Sequence, residues 1–131
     1  TENKIFDMIN AVSEGKQKRA LALYYDLLSL KEPPMRILYL ITRQFNLLMQ
    51  VKDMLEQGFS QDTIAQKLKI QSFIVRNCAR QARSFGLKEL KTVVKDCVDM
   101  EEAVKSGMMN DTMGVELLIV KYSGERQGEG R

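Results

Sequence analysis

The sequence contains no histidine. That removes the commonest general base near neutral pH and the commonest zinc ligand. Cysteine is reduced to Cys78 and Cys97. They fall on different expected helices, form no CxxC and lack the spacing of a metal site, so both are expected as reduced thiols of the core or surface. No GxxxxGKS, GxxxxGKT or GxGxxG run is available to cradle a phosphate through backbone amides. Apolar runs stay below the roughly 18 residues of a membrane span, and the N-terminus lacks a signal-peptide pattern. A cytoplasmic protein without membrane contact is expected. Two prolines and no long Gly/Ser linker give no sign of a second domain. Enzymatic activity, a cofactor and a metal are not expected within these 131 residues.

Apolar residues at 44% and charged residues at 28% describe one ordinary globular domain. A chain of this length buries roughly two-thirds of its unfolded surface. The first residue is Thr1 and not methionine, as in a piece of a longer chain.

The dominant stretch is Pro33 to Gly58, with prolines at its start, a glycine at its end and no breaker inside. It reads as one helix roughly 36 Å long. Arg36, Tyr39, Arg43, Asn46, Gln50, Asp53 and Gln57 share one narrow polar stripe. The apolar remainder sweeps about 200°, too wide for one layer of neighbours. Either the helix runs through the middle of a bundle or part of its surface is kept for another chain. Gln44 falls inside the apolar arc.

The other helices follow from spacing and punctuation. Thr1 or Asn3 can cap a first helix carrying Ile5, Phe6, Ile9 and Val12, with Gly15 as its stop. Lys16 to Leu30 places Ala20, Leu23, Tyr24, Leu27, Leu28 and Leu30 on one face. The two form a hairpin expected to dock on the long helix. Ser60 caps a short helix to Leu68, Ser72 a helix through Phe73 to Phe85, and Gly86 stops it. Leu87 to about Ser106 carries Leu90, Val93, Val94, Cys97, Val98 and Val104. Asp111 is expected to cap the last helix, where Met113, Val115, Leu117, Leu118, Ile119, Val120 and Tyr122 lie nearly all round. No period-two run appears. The expected fold is all-α, a single bundle of about seven helices over residues 1–123, with a disordered tail at 124–131.

Two clusters invite a chemical reading. Asp96, Asp99, Glu101 and Glu102 could suggest a divalent cation, but they lie on a helix among Lys95 and Lys105 and not on a loop able to wrap an ion. A solvated helix face is the better reading. Gln61 to Arg80 matches a loose helix-turn-helix pattern, with Ala65 as the small residue and Ile64, Leu68, Ile70, Val75 and Cys78 at packing positions. Ser60 to Lys91 holds seven basic residues against Asp62 and Glu89, a net of +5, which leaves the rest of the chain at −2 of its overall +3. Arg76, Arg80 and Arg83 are the candidates for weak phosphate contact. Against sequence-specific reading, Lys69 stands where such a turn usually has glycine, and Phe73 stands where base-reading polar residues are expected.

The run ILYLITRQFNLLMQVKDMLEQGFSQDTIAQKLKIQSFIVRNCARQARSF, followed by ELK, MEEAVKSG and VELLIVK, resembles the C-terminal helical domain of the delta subunit of the bacterial DNA polymerase III clamp loader. The resemblance covers Ile5 to about Ser123. Arg43 and Gln44 match an Arg-Gln pair of that family, Gln81 to Arg83 its Gln-Ala-Arg, Lys105 to Gly107 its Lys-x-Gly, and Glu116 its glutamate in the terminal helix. Lys69, Ile70, Gln71 and Ser72 depart from the family's frequent Gly-x-x-Pro.

The resemblance implies a collar domain that joins the tau or gamma subunits and delta prime in a five-membered ring. Contact with the sliding clamp is implied only for N-terminal domains absent here. The helix-turn-helix-type DNA-binding module is the competing expectation. Surplus apolar surface nominates Phe45, Met49, Leu118 and Tyr122 as subunit-interface anchors, with burial in the domain's own core as the alternative for each. Gln44, Gln81 and Glu116 sit on otherwise apolar stripes. They are expected either as polar contacts that set helix register or as groups turned to solvent by bends.

Overall fold

The structure, a computed structural model, describes residues 2–124. Seven helices occupy them: α1 (Glu2–Ser13), α2 (Gln17–Ser29), α3 (Pro34–Glu56), α4 (Gln61–Leu68), α5 (Ser72–Ala82), α6 (Leu87–Lys105) and α7 (Asp111–Tyr122). Among the described residues there are no strands, and the fold is an all-α bundle.

The long helix settles in the middle. Pro33 and Pro34 open α3, where a missing backbone N–H costs nothing, and Gly58 closes it at φ +96°. Around it pack α1, α4, α5, α6 and α7, with the most extensive contact to α6. Ile37, Leu38, Leu40, Ile41, Phe45, Leu48 and Val51 are consequently buried, while Leu47, Met49, Met54 and Leu55 are half-buried against the core. Most of the wide apolar arc is used internally. The α1–α2 hairpin meets α3 through α1, whereas α2 packs on α1 and α7.

Several local expectations need correction. Asn3 lies inside α1 and cannot cap it; Thr1 lies outside the described residues, as do residues 125–131 of the tail. Ser72 is the first residue of α5, and Gln71 precedes it without a side-chain cap. The last helix is capped by Asn110, whose Oδ1 accepts the Met113 N–H at 2.9 Å, while Asp111 sits one residue inside. Ser60 does cap α4, accepting the Thr63 N–H at 3.1 Å. Leu30 and Val98 are exposed although they share stripes with core residues, because α2 ends at Ser29 and, among the described residues, α6 packs chiefly on α3 and α7.

Candidate assembly surface

The last helix is apolar on nearly every side, and the fold can bury only one of them. Gly114, Val115, Leu118 and Ile119 face inward. Met113, Leu117 and Val120, spaced i, i+4 and i+7, form an exposed stripe with 57%, 46% and 39% of their surfaces open. Single exposed apolar side chains are ordinary, but a stripe on one helix face is not.

Polar contacts to α2 and α6 hold α7 on both flanks. On the α2 side, the Tyr24 hydroxyl donates to the Thr112 carbonyl at 2.7 Å, and Gln17 donates to the Val120 carbonyl at 3.1 Å. The Tyr25 hydroxyl donates to Glu116 Oε1 at 3.0 Å, and this bond is the main cause of the raised Tyr25 pKa. On the α6 side, Lys121 Nζ stands 2.7 Å from Asp96 Oδ2, which also accepts the Tyr122 hydroxyl. Lys121 first, and then Tyr122, hold the Asp96 carboxyl below the usual carboxylate range. Burial, reinforced by Asp96, pushes the Tyr122 phenol up.

Between α6 and α7 lies an open groove of about 290 Å³ lined by Met100, Ala103, Met109, Leu117 and Leu118, with Asp96, Asp99 and Lys121 along its edge. Gly114 permits the approach of the two helices. A Cβ placed there would stand 2.8 Å from the Met100 sulfur and 3.1 Å from Met109 Cγ.

The nominated interface anchors divide. Phe45 and Leu118 are buried in the domain's own core, and Phe45 meets Phe85 edge-on at 5.5 Å between ring centres. Both therefore take the alternative expected for them, burial in the domain's own core, although an edge of Leu118 still lines the groove between α6 and α7. Met49 is half-buried against the core, and Tyr122 is half-buried through its bond to Asp96. On and beside α7 the side chains that remain open include Met113, Leu117 and Val120, with Tyr25 on α2 and Val98 on α6; Leu30, Tyr39, Phe73 and Met108 are open elsewhere. The apolar circumference of α7 signalled a surplus, but which face would be left over depended on packing.

The three polar residues on apolar stripes also divide. Gln44 Nε2 donates to Gln81 Oε1 at 2.9 Å, and Gln81 Nε2 donates to the Phe6 carbonyl at 3.2 Å. Gln81 is only 2% exposed, so α3, α5 and α1 are joined by a polar contact inside the bundle. Glu116 stands apart, half-buried against Tyr25.

The remaining candidates have simpler surroundings. Lys121, Lys95 and Lys105 pair with Asp96, Asp99 and Glu101, and no acidic cluster suited to a metal ion occurs among the described residues. Cys78 and Cys97 are buried free thiols, both pushed up to about 11 chiefly by burial. α4 and α5 pack as a pair, and Lys69 makes the turn between them in the left-handed conformation that glycine would have taken more cheaply. Arg76, Arg80 and Arg83 are exposed on and just after α5.

The model of one family, the C-terminal domain of the DNA polymerase III delta subunit, matches residues 2–122. DNA polymerase III subunit delta of Bacillus subtilis (strain 168) is 35% identical over 120 residues, which cover 92% of this chain and 35% of that protein. A solved structure, the Bacillus subtilis DNA clamp loader delta protein, superposes with a TM-score of 0.89 at 34% identity, over 93% of this chain and 36% of the other. The chain thus spans about a third of the length of these relatives.

Proposed function

This chain belongs to the family formed by the C-terminal domain of the DNA polymerase III delta subunit, and from that premise we propose that it is an assembly module, the collar domain that places delta within the clamp loader. The observation that carries the reading is the exposed stripe of Met113, Leu117 and Val120 beside the groove between α6 and α7. Stable interfaces between proteins combine an apolar centre with a polar rim. Here the stripe supplies the centre, and the Lys121–Asp96 and Lys95–Asp99 pairs supply the rim.

The partners under this reading are the helical domains of the tau or gamma subunits and of delta prime. Its place of work is the cytoplasm, where the loader sets the sliding clamp on primed DNA. The domain contributes position and no chemistry. By anchoring delta in the collar, it fixes where delta's N-terminal, clamp-opening part sits relative to the ATP-hydrolysing subunits.

Sedimentation of the chain with the helical domains of tau and of delta prime tests this. Association is expected, and Leu117→Asp should weaken it at least tenfold without moving the thermal midpoint. Leu117 is open to solvent, so its loss leaves the core intact. Failure of the unsubstituted chain to associate at concentrations on the order of tens of micromolar, about −6 kcal/mol of binding, would sink the reading.

A further inference from the structure

Half of the chain's methionines, four of eight, fall between residues 100 and 113, where α6 turns into α7. Met100 and Met109 are half-buried and line the groove between the two helices. Met108 is 81% exposed and Met113 57%. Neither owes its exposure to a frayed end. Gly107, at φ +82°, closes α6: its N–H donates to the Val104 carbonyl at 3.0 Å, and that of Met108 to the Ala103 carbonyl at 2.8 Å. Such a pair of bonds is frequently accompanied by an apolar contact from the residue in the place of Met108 back to the helix. Here that side chain stays open. The Met113 N–H donates to the capping Asn110 side chain, so hydrogen bonds fix the backbone at both methionines while neither side chain belongs to the core.

We propose that Met108 and Met113 form a modification site, at which oxidation by hydrogen peroxide to the sulfoxide withdraws the chain from assembly. Met113 belongs to the exposed stripe of α7, so the effect of the site rests on the assembly reading. In the reaction a thioether lone pair attacks one peroxide oxygen, and an S–O bond forms as the O–O bond breaks. The departing hydroxide takes the proton of the transferred oxygen and leaves as water. Sulfur loses two electrons and the peroxide gains them. A flexible apolar side chain thereby becomes polar. Beside Leu117 and Val120 it would present an S=O acceptor to an apolar partner surface, and burying a polar group without a hydrogen bond is unfavourable. The other sulfurs are better shielded. Met8 is fully buried, and Cys78 and Cys97 are buried thiols that keep their protons near neutral pH, so the reactive thiolate is scarce. Enzymatic reduction of the sulfoxide regenerates the thioether, which makes the change reversible.

Hydrogen peroxide is added to the whole chain at neutral pH, and the products are followed by peptide mass spectrometry, circular dichroism and sedimentation with the helical domains of tau and delta prime. Met108 and Met113 should oxidise first, about tenfold faster than Met8, with Met100 and Met109 between them. With both sulfoxides formed and the helical signal unchanged, association should weaken about tenfold. Methionine sulfoxide reductases acting on both epimers should restore it, and dithiothreitol alone should not. In the double variant Met108→Leu, Met113→Leu, peroxide should change affinity less than about twofold from that variant's own starting value. Oxidation of Met108 and Met113 no faster than that of Met100 and Met109 overturns the proposal. Loss of helical signal on oxidation, recovery with dithiothreitol alone, or a full response in the double variant overturns it as well. Failure of the untreated chain to associate sinks the assembly reading and this site's effect together, whereas association that survives both sulfoxides overturns the modification site alone.

Discussion

Gln44 and Gln81, thirty-seven residues apart, meet amide to amide at 2.9 Å, with the second bond of Gln81 reaching the Phe6 carbonyl. The arrangement locks α3, α5 and α1 in one register, since sliding any of them by a residue would strand a buried polar group. An unpaired buried amide costs about 1 to 3 kcal/mol, which exceeds the net value of most single hydrogen bonds.

Gln81→Leu, close in volume but without donors, is expected to lose about 1 to 2 kcal/mol of stability in urea unfolding. Gln44→Leu should lose less, because Gln44 is half-exposed. The double variant should fall short of the summed losses by about 0.5 kcal/mol or more. Strict additivity would mean that the two amides are not coupled.

Lys69 carries φ +58° and ψ +45° at the end of α4, a conformation that costs a residue with a Cβ roughly 1 to 2 kcal/mol. Lys69→Gly is expected to raise stability by about 0.5 kcal/mol, the strain relieved being partly offset by the greater freedom of glycine in the unfolded chain. Gly58→Ala, at φ +96°, should move stability the opposite way by about 1 kcal/mol. Thermal midpoints of the two variants check both signs.

Asp96 accepts from Lys121 and Tyr122, which lower its pKa. A carboxylate with a depressed folded pKa contributes stability above its unfolded value and loses it as pH falls through the folded value. Stability should therefore decline as pH drops below about 3.9, the ordinary aspartate range. Asp96→Asn should be less stable at neutral pH and show a shallower acid decline. An identical acid profile for the variant would refute the assignment.

Cys78 and Cys97 behave in the reverse sense. Their thiols are raised to about 11 by burial, so the folded chain holds its protons where the unfolded chain begins to release them. Stability from these groups is complete below the unfolded thiol pKa of about 8.5 and is lost as pH rises toward 11. At a pH of about 8 both should react with a thiol reagent far more slowly than free cysteine, at a rate that climbs with urea. Fast labelling without denaturant would contradict their burial.

Gly114 lies where α7 approaches α6, and a Cβ at that position would come within 2.8 Å of the Met100 sulfur. Gly114→Val is expected to lose about 1 to 3 kcal/mol by overpacking, despite the gain in helix propensity over glycine. If the groove between α6 and α7 serves assembly, the same change should also weaken partner binding at temperatures where the variant is folded.

Much of the fold was legible because its signals are local. Gly15, the Pro33–Pro34 pair, Gly58 and Gly107 mark helix ends through backbone angles that depend on a residue and its immediate neighbours. The polar stripe of Arg36, Tyr39 and Arg43 likewise follows from the helical period alone and is exposed. Caps were less legible at Ser72 and Asp111, where a good capping residue stood one position inside the true start and its neighbour held the extended conformation. Periodicity also could not separate Phe45 from Leu117, since both are large, apolar and on apolar arcs.

Helical period, punctuation and charge are written residue by residue, and they suffice to specify an all-α chain with a long apolar helix, an apolar terminal helix and a basic segment. Which apolar faces were left over depended on the packing of the helices. It enclosed α3 on most sides, left Met113, Leu117 and Val120 open on α7, and brought Gln44 to Gln81 while sending Glu116 to Tyr25. The physical reason is that burial and hydrogen bonding between distant residues are properties of the packed arrangement. A helix specifies how wide its apolar face is, and its neighbours specify how much of that face is covered.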